Sequence, residues 1–340
     1  MKVMDSKDLK ILEILDDLGP RTSTLVLQER VGIPARTIRY RIRKMMENGI
    51  LSSTFPLIDD RRLGLDSQIV VIKPTKTAHN NVKKLLERDS SVPWFSSTYG
   101  KYDGYIAEFT YAVTSRNANP TLLESLKKQG HVQTSYLFDI VDYEFKKADF
   151  ASFDANRGWN WNWEEWITMK STAFHQKLNL EKDFPLTSYD SKDIAILKMM
   201  LDTPGISYRK LAEVISISKT DVNNRIHRLE HEGVIKEYKF IFTPFDELLY
   251  VACFLQVDES SEEPLSKFYQ LPFPAYIIKG AQKRYCIRLD LTLRDFKGFL
   301  RGLDQIKHGF SSVFIQLLHD PRQKPPSNIY NLLDEDTGTW

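Results

Sequence analysis

Apolar residues in the first fifty positions recur three and four apart, which predicts helices over roughly 5–18, 23–31 and 35–48. Gly19-Pro20 and Gly32-Ile33-Pro34 interrupt them. After Gly49 the pattern changes. Runs rich in β-branched and aromatic residues predict strands over 67–72, 92–98, 105–113 and 132–141, with helices over 78–88 and 120–129 between them. The middle two strands flank Gly100-Lys101-Tyr102-Asp103-Gly104, a hairpin turn.

The whole series then repeats. Helices are predicted over 190–202, 207–215 and 219–232, then strands over 250–257, 275–279, 285–292 and 310–318, with helices over 263–270 and 293–306. The copies align residue by residue. DSKDLKIL from Asp5 returns as DSKDIAIL from Asp190, an offset of 185 positions, and Ile11-Leu12 falls on Ile196-Leu197. After one residue is dropped, Ser23, Leu27, Glu29, Ile33, Arg41, Ile42 and Gly49 meet Ser207, Leu211, Glu213, Ile217, Arg225, Ile226 and Gly233. The chain is therefore read as an internal duplication. Each copy opens on an aspartate placed to cap a helix, with a second aspartate in its first turn.

Three short helices with a tight turn before the third form a helix-turn-helix, whose last helix enters the DNA major groove. In IPARTIRYRIRKMMENG, at 100° per residue, Ile38, Ile42 and Met45 form one stripe. Arg36, Tyr40, Arg43 and Glu47 lie opposite, flanked by Arg39 and Lys44. Arginine serves both phosphate and the guanine edge. Arg41 lies nearer the apolar stripe and recurs as Arg225, so its expected role is structural. In the second copy Val222, Ile226 and Leu229 keep the stripe, while Thr220, Asn223, Asn224, His227 and Arg228 make the outer face. Asparagine reads adenine, but this face carries less charge for phosphate. The two helices should prefer different half-sites. The plainer alternative for either helix is a solvated polar face.

Charge narrows the picture only locally. The net charge is +2 across 340 residues, yet positions 34–47 hold five basic residues and one acid. Apolar content of 42% and charged content of 27% are those of a globular protein. The longest apolar runs, 69–72 and 250–255, have strand length, so no membrane span is expected, and the N-terminus lacks a signal-peptide apolar region. Cys253 and Cys286 fall in predicted strands, as reduced buried thiols of a cytoplasmic protein do. No cofactor motif, nucleophile elbow, phosphate loop or metal-ligand spacing is legible.

These elements predict an α+β fold: two winged helix-turn-helix domains alternating with two ferredoxin-like βαββαβ domains. The expected order is winged helix 1 over 1–60, ferredoxin-like domain 1 over 61–142, a Trp-rich linker over 143–188, winged helix 2 over 189–245, ferredoxin-like domain 2 over 246–320 and an extended tail over 321–340. The linker carries GWNWNWEEW, and from Trp163 onward Trp166, Ile167, Phe174 and Leu178 share a helical face. A linking helix packed on the body is expected, with the tryptophans as anchors.

With DSKDIAILKMMLDTPGISYRKLAEVISISKTDVNNRIHRLEHEGVIKEYKF ahead of a βαββαβ unit, and with YGKYDGYIAEF carrying Gly-x-x-Asp between the middle strands of the first such unit, the chain resembles the Lrp/AsnC (feast/famine) transcription regulators. The resemblance spans both copies and omits the linker and tail. It implies a DNA-binding transcription regulator of the chromosome, with one chain standing for a pseudo-dimer of fused halves. It also implies wings after Gly49 and Gly233, with Lys236 and Lys239 offered to phosphate, and assembly into a homo-oligomer through the regulatory domains.

Effectors of that family, often amino acids, imply a site at Gly100 and Asp103 in the first regulatory domain. The aligned acidic position in the second is Lys283, which repels an amine, so only the first copy keeps the pattern. A turn-shaping role for Gly100 and Asp103 is the alternative. Siroheme decarboxylases resemble the same regulators in fold and define the competing enzyme reading, with His79, His131, His308 and His319 in or near the regulatory domains. A third reading makes the helix-turn-helix units interaction surfaces only.

Overall fold

A computed structural model describes residues 2–113, 118–169, 186–257, 263–323 and 328–330. The first copy begins with α1 (Ser6–Leu18), α2 (Thr24–Val31) and α3 (Ala35–Glu47). There follow β1 (Phe55–Ile58), β2 (Leu65–Pro74), α4 (His79–Arg88), β3 (Trp94–Gly100), β4 (Gly104–Ala112), α5 (Ala118–Lys128) and β5 (Val132–Lys146). The connector holds the two-residue strands β6 (Phe153–Asp154) and β7 (Gly158–Trp159), then α6 (Trp163–Thr168). The second copy runs α7 (Ser191–Asp202), α8 (Tyr208–Ile215), α9 (Lys219–His231), β8 (Ile235–Lys239), β9 (Leu249–Gln256), α10 (Ser266–Gln270), β10 (Ala275–Gly280), β11 (Arg284–Leu291), α11 (Leu293–Ile306) and β12 (Ser312–Gln323).

Packing does not follow chain order. One compact unit gathers Met1–Thr54, Val141–Leu180 and Tyr238–Ile315; the other gathers Phe55–Ile140, Glu181–Glu237 and Gln316–Trp340. Each unit thus pairs the three helices of one copy with the regulatory sheet of the other.

In the first unit the sheet has the order β10-β11-β9, with the start of β12 beside β9. β11 runs antiparallel to both β10 and β9, with Ile277 opposite Ile287 and Ile287 opposite Cys253. Phe254 stacks on Phe314 at 4.7 Å. Both cysteines are buried, and burial pushes the Cys253 thiol up. The wing after α3 is built from both copies: Leu51 bridges Phe242, Ser52 N–H donates to Ile241 O and Thr243 N–H donates to Ile50 O.

In the second unit the order is β3-β4-β2-β5, and residues 316–323 of β12 pair β3. This is the ferredoxin-like arrangement. Val70, Ile72, Val82, Leu86, Phe95 and Phe109 are among the residues that form its core, each contributing about 1.5–3 kcal/mol of hydrophobic stabilisation. The wing is again mixed, β8 lying beside β1, with Asp59 N–H donating to Val234 O. β12 continues to Gln323, and a short 3-10 turn over 328–330 buries Ile329 and Tyr330. The Tyr330 hydroxyl donates to Asp60 at 2.6 Å.

The linking helix expected in the connector begins at Trp163. α6 ends at Thr168, and Phe174 and Leu178 lie outside the described residues. Trp159 and Trp166 are buried anchors.

Candidate nucleic-acid interface

The first reader is assembled by local chemistry. Asp5 caps α1 by accepting from the N–H groups of Lys7 and Asp8, and Asp8 returns the bond to Asp5 N–H. Ser23 caps α2, and Gly32, at φ 79°, ends it in the left-handed conformation that glycine adopts freely. Pro34 provides no side-chain cap for α3. Gln28 reaches across the turn instead, its Oε1 accepting from Ala35 N–H at 3.0 Å.

On α3, Ile38 and Met45 are buried and Ile42 is half-buried. Arg41 turns back onto α1, donating to Asp5 and Asp8 at 2.8 Å each. Its guanidinium is stabilised in the charged form first by Asp8, then by Asp5. Burial pushes the Asp5 carboxyl up, but the Asp8 N–H and Arg41 outweigh it and hold it below the usual range. Arg36, Arg39, Tyr40, Arg43 and Lys44 are all exposed on the same helix. Arg43 makes only an open 3.6 Å contact with Glu47, and its guanidinium carbon lies 5.9 Å from the Tyr40 ring centre. The helix therefore offers solvent a face with four cations and one phenol, which suits phosphate and base edges.

The second reader has the same frame and a different face. Val222, Ile226 and Leu229 are fully buried. Arg225 donates to Asp190 at 2.8 Å and Asp193 at 2.9 Å, repeating Arg41. Arg228 also pairs with Asp193, whose side chain is 1% exposed. That pairing uses one of the five residues expected on the outer face. His227 Nδ1 lies 3.0 Å from Glu230. Thr220 and Asn224 are exposed and Asn223 is half-buried. Among the wing lysines, Lys236 is exposed, but Lys239 is 5% exposed and lies 5.3 Å from the Phe145 ring centre. Lys239 is thus withdrawn from phosphate, because its position in β8 faces inward.

The Gly-x-x-Asp turn is closed from within. Asp103 Oδ1 accepts from Gly100 N–H at 3.3 Å. The fully buried Gln316 accepts from Tyr102 N–H at 3.0 Å and donates to Tyr102 O at 2.7 Å. Gly104, at φ 158°, packs against Ile72 O where a Cβ has no room. Gly100 and Asp103 remain exposed. The aligned turn in the second copy puts Gln282 and Lys283 at φ 58° and 55° without glycine. His79 begins α4 and His131 precedes β5, while His308 follows α11 and His319 lies on β12. Among the described residues no three His, Cys, Asp or Glu side chains gather as a metal-ligating group.

Two capped helical triads, each ending in an amphipathic third helix and joined to ferredoxin-like sheets, define a winged helix-turn-helix regulator. A family model described as winged helix-turn-helix DNA-binding matches residues 4–52 and 189–236. The regulatory protein AsnC of Haemophilus influenzae is 31% identical over 116 residues, covering 33% of this chain and 76% of that protein. The transcriptional regulator Ptr1 of Methanocaldococcus jannaschii is 33% identical over 104 residues, covering 30% and 68%. The siroheme decarboxylase NirDL shares the fold over 94% of this chain and 93% of its own, with a TM-score of 0.60 and 13% identity. The chain belongs to the Lrp/AsnC family of transcription regulators, in internally duplicated form.

Proposed function

We propose that this protein is a sequence-specific regulator that binds double-stranded DNA through two unlike readers, with α3 dominant. The observation that carries the reading is the exposed face of Arg36, Arg39, Tyr40, Arg43 and Lys44, set against an α9 face whose Arg225 and Arg228 are both spent on Asp190 and Asp193. Thr220, Asn223, Asn224 and His227 leave α9 hydrogen-bonding capacity with little charge. In this reading α9 refines the site more than it anchors the protein. Recovery of fragmented genomic DNA from the source organism at physiological salt, beside an Arg36/Arg39/Arg43→Ala variant, tests it. A two-part motif lost in the variant is the expected result; equal recovery by both proteins contradicts it.

The division into winged helices over 1–60 and 189–245 and regulatory domains over 61–142 and 246–320 is the functional partition we assign. The effector, an amino acid in this reading, meets Gly100 and Asp103, with Asp103 exchanging its bond to Gly100 N–H for the ligand amine. Calorimetric binding that is unchanged by Asp103→Ala contradicts this site. Assembly through the regulatory domains and a cytoplasmic, chromosome-bound location belong to the same proposal. No helix among the described residues is long and apolar enough to cross a membrane.

The second reading is a tetrapyrrole decarboxylase. The likeness in fold to NirDL along nearly the whole chain keeps it in view. Curated relatives are named regulators. Tetrapyrrole absorbance with decarboxylation by the purified chain is the outcome that favours the enzyme.

A further inference from the structure

The connector holds more chemistry than a tether needs. At one end Lys147 Nζ donates to Asp17 O at the end of α1, and Phe150 packs 5.2 Å from Phe242 beside the wing of the first reader. At the other end α6 lies along α11 of the second regulatory module. Gly298 and Gly302 lie one helical turn apart on α11, and a Cβ on either falls inside van der Waals contact, with the Trp163 ring at Gly298 and the Trp166 ring at Gly302. Both glycines are helical, so their value is space rather than backbone freedom. Each indole is fixed by a second contact. Trp163 stacks 5.7 Å over Phe273. Trp166 is 0% exposed and its Nε1 donates to Lys267 O at 2.7 Å.

Lys267 completes the fit from the other side. Its ammonium, on a residue 9% exposed, donates to the carbonyls of Trp166, Ile167 and Met169, the unpaired C-terminal acceptors of α6. A helix of six residues has little stability alone. α6 is therefore held by its docking, through two aromatic keys, two glycine sockets and one buried cation.

We propose that the connector is an intramolecular clamp that holds the first winged helix on the second regulatory module, so that α3 presents its basic face in a fixed orientation to the sheet behind it. The clamp rests on the DNA-reading proposal only for its consequence at DNA. Its existence is read independently.

The test is Gly302→Ala, alone and in a Trp166→Ala background, with protease cleavage within residues 146–169 as the first readout and DNA affinity as the second. Alanine favours helix over glycine, so a substitution that only touched α11 would be neutral or stabilising. The clamp predicts the opposite in the native background: cleavage about tenfold faster or more, and DNA affinity lower by a similar factor. In the Trp166→Ala background, already unclamped, adding Gly302→Ala changes neither readout. Unchanged cleavage in the single variant overturns the clamp. Equal added damage from Gly302→Ala in both backgrounds, including failure to fold in both, also overturns it. Faster cleavage with unaltered DNA affinity overturns the orienting role, and absence of DNA binding by the parent chain fails the DNA-reading proposal while the cleavage arm still decides the clamp.

Discussion

Arg41 and Arg43 stand two positions apart on α3 and have opposite tasks. Arg41, 23% exposed, joins α3 to the capped start of α1, while Arg43, 69% exposed, is turned to solvent. Arg41→Ala is expected to lower unfolding free energy by about 1–2 kcal/mol, because two charge-assisted bonds are lost in a partly screened setting. Arg43→Ala should leave stability within about 0.5 kcal/mol while costing about 1–3 kcal/mol of DNA discrimination at one base pair. Urea unfolding and competition binding separate the two, and equal stability losses contradict the assignment. Acid acts through the caps with the sign of a depressed carboxyl. The stabilising share of Asp5 and Asp190 is whole above about pH 4 and is lost as pH falls through their lower folded values. Asp60 has the reverse sign. Burial pushes it up to about 7, against the Tyr330 hydroxyl bond and Arg61, with Asp59 and Glu108 adding to the rise. Its cost is absent below about pH 4, grows as pH rises, and is complete above 7. Asp60→Asn keeps an acceptor for Tyr330 and removes the charge, so it should raise thermal stability at pH 8 and not at pH 4; an equal change at both values contradicts the placement.

Among elements, those with strong periodicity and a clear cap were legible. The helix expected over 293–306 is observed as α11, and Thr292, read as the end of the preceding strand, caps it. The helix expected over 263–270 begins instead as a 3-10 turn around Pro264, which lacks the backbone donor. The outer face of α3 was readable from spacing because its four cations stay exposed, Arg43 making only an open 3.6 Å contact with Glu47. The outer face of α9 was only partly readable. Arg228 sits where Lys44 sits in the first copy, and nothing in its spacing revealed that it would share Asp193 with Arg225. Lys239 is buried where exposure is expected for a related reason: strand alternation gives two faces without saying which is covered. Gly298 and Gly302 carry no signal of their own in the spacing, since a socket is visible only with its occupant in place.

At the scale of the whole molecule, the duplication and the α+β class followed from self-similarity, but the way the copies share their parts did not. Period-two patterning identifies strands without naming their neighbours. Two copies with the same pattern leave two solutions, pairing within a copy or between copies. The wings choose the second, Leu51 with Phe242 and β1 with β8, so neither reader is complete within its own repeat. Fusion also frees the two readers to diverge, which a pair of identical chains cannot do. The measurement that tests this account most directly is affinity for the recovered DNA site with two variants side by side, Arg36/Arg39/Arg43→Ala and Thr220/Asn224/His227→Ala. An α3-dominant regulator predicts a loss of about 100-fold or more for the first, with a shallower salt dependence, and a loss of about tenfold or less for the second with relaxed preference at one half-site. Equal losses, or the larger loss in the second variant, would contradict it.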